Sequence, residues 1–95
     1  MTDEQITRVL KSLKVDLGIL STSAYDERLT EIIKSSFQMI VREGAATLNA
    51  DVLEDAQLIV MYSAWVWRRR DSGEGMPRMV RWALNNRILS EKANG

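Results

Sequence analysis

The chain has 95 residues and contains neither cysteine nor histidine. Without cysteine there are no disulfides and no thiolate nucleophiles, and a cytosolic or otherwise reducing origin is expected. Without histidine there is no imidazole base, and the usual zinc ligand sets are missing. No charge sign is in excess: 13 Lys and Arg balance 13 Asp and Glu. The broad positive surplus of most nucleic-acid binders is therefore lacking. The longest mainly apolar stretch, LIVMYSAWVW at 58–67, has ten residues. A bilayer span needs about 20, so this stretch reads as a buried helix segment and no membrane partner is expected. The start, MTDEQITRVL, is acidic and has no apolar core, so it does not read as a signal peptide. No pair of carboxylates forms an acid–base couple. Glu54 and Asp55 adjoin at a helix start, where capping and the helix dipole account for them. GEG at 73–75 is too short for a phosphate-binding fingerprint. These absences argue against an enzyme and imply no catalytic residue, cofactor or metal site.

What is present is an ordinary globular composition, 45% hydrophobic and 27% charged, in a length that suits one domain over 1–95. A chain this short has a marginal core and gains from a partner or an oligomer. Four helical segments follow from spacing and caps. Thr2 and Gln5 form a capping box, Ile6, Val9, Leu10, Leu13 and Leu17 share one face, and Gly18 stops the helix. Ser23 is the expected cap of the second helix. Its stripe runs through Tyr25, Leu29, Ile32, Ile33, Ser36, Phe37, Ile40 and Val41 to Gly44. AATLN at 45–49 reads as a loop, after which Asp51 and Glu54 stand at cap spacing for a third helix that is apolar all round from Leu58 to Trp67. Such a helix belongs at the centre of a bundle. DSGEG breaks the chain, and Pro77 restarts it as the first residue of a fourth helix over about 77–90, with EKANG frayed behind it. The expected fold is all-α, a small bundle of about four helices with helix three central.

The segment WVWRRRDSGEGMPRMVRWALNNR at 65–87 holds all three tryptophans and six of the nine arginines. Residues 1–64 carry a net charge of −4, and residues 65–95 carry +4. This polarity suits an acidic partner at one end, a head-to-tail homo-oligomer, or attraction between the two halves of one fold. On a 100° wheel, Met79, Val80, Ala83, Leu84 and Ile88 face the bundle, whereas Arg78, Arg81, Trp82, Asn85 and Asn86 face away. Trp and Arg are enriched at the energetic centres of interfaces. The alternative is a Trp82 folded down against Trp65 or Trp67. Arg87 falls on the apolar face. It requires either an acid from helix two or three or a surface open to another subunit. Arg68, Arg69 and Arg70 complement the dipole at the end of helix three, and with Arg78 and Arg81 they form a second possibility, a single basic patch.

The run MYSAWVWRRRDSGEGMPRMVRWALNNR, with AYDERLTEIIKSSFQMIVREG before it, resembles the small head–tail connector (adaptor, head-completion) family of long-tailed bacteriophages and prophages. The likeness spans about residues 13–92. It implies a structural virion protein that assembles as a ring below the portal and extends the DNA channel. The implied partners are further copies of the chain, the portal protein, a stopper or tail-completion protein, and DNA passing without sequence-specific contact. The implied location is the head–tail interface of the virion, with the host cytoplasm before assembly. The candidate assembly interface is Arg68, Arg69, Arg70, Arg78, Arg81, Trp82, Asn85, Asn86 and Arg87. The competing reading is a small helix-turn-helix-like DNA-binding regulator that uses the basic C-terminal third.

Overall fold

The structure, a computed structural model, describes residues 1–73 and 75–94, without the side chains of Arg70, Asp71, Ser72 and Asn94. Four helices follow in chain order: α1 (Asp3–Leu17), α2 (Asp26–Glu43), α3 (Leu53–Ser72) and α4 (Arg78–Asn94). No strand occurs among the described residues. α1 starts where local chemistry places it. The Thr2 hydroxyl accepts the Gln5 N–H at 3.1 Å, and the Gln5 side chain accepts the Thr2 N–H at 2.9 Å. Gly18 closes the helix in the left-handed region.

The two other expected caps are not used. Tyr25, not Ser23, stands at the N-cap of α2, with no side-chain cap, and the nearby Thr22 hydroxyl accepts the Ala24 N–H. Val52, not Asp51, caps α3, and the Asp51 carboxylate pairs instead with Arg8 of α1. A long-range ion pair has overridden the local option. The Asn49 side chain accepts the Asp51 N–H, and the Asp55 carboxylate accepts the Asn49 N–H at 2.9 Å. The loop before α3 is thereby pinned to the helix, and its Ala45, Leu48 and Ala50 are buried.

α3 packs against each of the other three helices, and α4 leans chiefly on α3. Leu13, Leu29, Ile33, Ile40, Ile59 and Leu84 are completely or almost completely enclosed, so all four helices feed one core. Lys14 is buried but reaches Asp26 at 2.7 Å, which ties α1 to the first turn of α2. Gly44 ends α2 at φ +134°, a conformation that disfavours side chains. A β-carbon there would meet Ile88 of α4 at 3.1 Å, so this glycine also admits α4.

Three expectations for α4 need correction. It continues to Asn94, not Ser90, so the described part of EKANG is helical. Pro77 precedes the helix, its carbonyl accepting the Arg81 N–H at 3.0 Å. Met79 points outward, 67% exposed, because only Val80 and Leu84 go fully into the core, flanked by half-buried Ala83 and Ile88. The molecule is flat, with Cα extents of 41 × 31 × 17 Å.

Candidate assembly surface

Arg87 defines how α4 is held. Its Nε donates to Asp55 of α3 at 2.8 Å, Nη1 donates to Glu91 at 3.0 Å, and Nη2 donates to the Thr47 hydroxyl at 3.1 Å. Thr47 in turn donates to Glu91 through its backbone N–H at 3.1 Å and its hydroxyl at 2.6 Å. Asp55 is only 4% exposed, so its charge requires this partner. The Asp55 hydrogen bond raises the Arg87 pKa above its already high ordinary value; burial opposes it, and Glu91 adds to the rise. The Thr47 hydroxyl first, then Arg87, holds the Glu91 carboxyl below its ordinary range. Arg87 is thus an internal clamp paired to α3, the first of the two readings open to it.

The other candidate residues divide by place. Arg78, Arg81, Trp82, Asn85 and Asn86 are all exposed, Trp82 at 65%. Trp82 does not fold down on the other tryptophans. Trp65 donates its indole N–H to the Gly75 carbonyl at 3.1 Å and meets Tyr62 edge-on with centroids 5.3 Å apart. Trp67 meets Tyr25 in the same way at 5.3 Å. Neither Trp65 nor Trp67 is fully buried. Both are half-buried and pack on the edge of the core. The expectation of a helix buried on all sides from Leu58 to Trp67 is corrected accordingly, since both rings lie at the edge of the core.

Arg69 lies over the Trp65 ring at 4.6 Å, and Arg68 is exposed. Burial pushes the Tyr62 phenol up, with Glu43 adding to the shift and both Arg69 and Arg81 opposing it. Arg69 near the end of α3 and Arg81 in the first turn of α4 therefore both act on this phenol from the two sides of the corner where α3 gives way to α4. The side chain of Arg70 lies outside the described residues. Arg87 is remote from this corner. Its partner Asp55 precedes Arg69 by fourteen residues, about 21 Å along α3.

Toward the Arg87–Asp55 pair, Leu58 and Met61 of α3 and Met79, Trp82, Ala83, Asn86 and Arg87 of α4 line an open groove of about 420 Å³, which thus joins three of the candidate residues. Met79 and Leu89, exposed at 67% and 61%, extend the apolar character of α4 beyond Trp82. Leu89 stands at helical spacing from Trp82 and Asn85, so its outward position could have been read from the sequence. Met79 lies on the apolar arc by helical spacing, and only the angle at which α4 docks turns it out. Among the described residues there is no group of three or more acidic side chains placed to hold a metal ion, and no helix is long and apolar enough to cross a membrane. The exposed edge of α4 offers apolar area, amides and guanidinium groups, a set suited to adhesion. No family model, curated protein or solved structure matches the chain.

Proposed function

We propose that the chain is a structural adaptor subunit, a phage head–tail connector that assembles as a ring below the portal and lengthens the DNA channel. The observation that carries this reading is the outward edge of α4. Trp82, Met79 and Leu89 are more than 60% exposed, while the core closes on Val80 and Leu84 without them. Large apolar side chains left in water beside Arg78, Asn85 and Asn86 are the composition of an interface centre. The kind of interface is an inference from the resemblance read in the sequence alone over about residues 13–92. The subunit works by contact alone, without a cofactor or a catalytic residue. Its partners are its own copies, the portal, and a stopper or tail-completion protein, and DNA passes without sequence readout. Its place is the virion's head–tail interface, reached from the host cytoplasm. Free in solution it is a monomer or a weak oligomer that assembles on the portal.

The test is incubation with the portal ring of the same phage or prophage, read by electron microscopy, beside a titration with duplex DNA across salt concentrations. Density added in a ring at the portal supports the adaptor. Sequence-specific DNA binding with no affinity for the portal contradicts it and favours the regulator.

A further inference from the structure

A second groove, of about 480 Å³, runs between α1 and α3. Its apolar wall is Val9, Ala50, Leu53, Ala56 and Val60. The methyl side chains of Ala50 and Ala56 leave room that larger residues would fill, so the groove is a hole shaped for a knob. Its charged ends differ. At one end Arg8 is already paired with Asp51. At the other stands the exposed carboxylate of Asp16, eight residues and about 12 Å further along α1.

α4 carries the counterpart. Arg78, Trp82, Asn85 and Leu89 recur at helical spacing along one edge, and all are exposed. Arg78 lies one turn from Trp82, about 6 Å. The edge is therefore an apolar knob with a cation beside it, and the groove is an apolar hole with an anion at its end. The net charges of −4 over 1–64 and +4 over 65–95 have the same sense.

We propose that the α4 edge of one copy seats in the α1–α3 groove of a second copy of this chain, with Trp82 over Ala50 and Ala56 and the Arg78 guanidinium on the Asp16 carboxylate. The proposal rests on the assembly reading above and names its subunit contact. Edge and groove share no residue, so after pairing one copy keeps a free groove and the other a free edge. Such heterologous contacts propagate and close into a ring when the rotation between subunits allows. The complementary charges set the register of the contact and suppress wrong pairings.

The experiment is a charge exchange. Asp16 lies near the C-terminal end of α1 and Arg78 begins α4, so Asp16→Arg and Arg78→Glu both suit their helix dipoles and leave the fold intact, which thermal melts verify. Association is followed by sedimentation equilibrium and by recruitment to a portal ring. Each variant alone should associate about 10-fold or more weakly than the native chain, and the double variant should recover most of the loss. If either single variant associates normally, or if the double variant fails to recover, this contact is overturned while ring assembly stands. A portal-binding chain insensitive to Asp16→Arg would mean that α4 meets another protein, which also overturns the contact. A native chain that neither self-associates nor joins a portal ring removes both this contact and the assembly reading.

Discussion

At the scale of the residue, Arg87 and Trp65 show how the polar and aromatic side chains of this fold are committed. Arg87 occupies an inward position on α4 because Asp55, buried on α3, faces it. Replacing Arg87 with alanine strands that carboxylate and should destabilise the fold by about 3 kcal/mol. For a chain of this length, the melting temperature should fall by more than about 10 °C. Adding Asp55→Ala should make the double variant less unstable than the two separate losses combined, since the pair acts as a unit. Additive losses would mean the contact is not the source of the effect. Trp65 combines an indole hydrogen bond, an edge contact with Tyr62 and the Arg69 guanidinium on its face. Trp65→Ala should cost about 3 kcal/mol, measured by urea unfolding. The anomaly of Arg87 is visible in the sequence, because a cation interrupts an apolar arc. Its partner is not, because any acid of α2 or α3 satisfies the pattern until the helix docking angle is known. Thr47 and Glu91 complete the network from a loop and a last helical turn that periodicity cannot relate.

At the scale of the element, α4 is the helix whose attachment is most open to disturbance. It leans chiefly on α3 and meets the end of α2 at Gly44. Gly44→Ala puts a side chain at φ +134° and a β-carbon 3.1 Å from Ile88, so two strains coincide. The expected loss is about 1–3 kcal/mol. Hydrogen exchange should quicken in α4 more than in α1. Equal loosening throughout would show that Gly44 does not control the docking of α4.

Acid should loosen the same junction through Glu91. Its folded pKa lies below the ordinary value of 4.5, so its stabilising contribution is complete above that pH and is lost as pH falls through the folded value. Melting temperature should therefore decline less steeply below about pH 4.5 in Glu91→Gln than in the native chain, starting from a lower plateau. Parallel curves would exclude Glu91 as a contributor.

Helix existence was legible throughout, because apolar spacing and terminal glycines are local signals. Of the three expected caps only that of α1 was legible. Thr2 and Gln5 cap α1 as the spacing predicts, whereas Asp51 is drawn to Arg8 across 43 positions of sequence. The wheel placed Trp82 outward correctly and Met79 inward wrongly, because it assumes that the whole apolar arc reaches the core.

At the scale of the whole molecule, the fold is a flat bundle that closes its core and leaves an apolar-and-basic edge of α4 in water. A chain with net charge zero gains little solubility from that edge, which is consistent with a surface kept for association. The central claim is that the α4 edge serves assembly and not folding, and Trp82→Ala tests it most directly when folding and association are measured on the same sample. The account predicts a stability within about 0.5 kcal/mol of the native chain. It also predicts association, alone or on a portal ring, weaker by about 30-fold, the effect of losing about 2 kcal/mol at an interface centre. A variant that unfolds as readily as Trp65→Ala, or that assembles as tightly as the native chain, would contradict it.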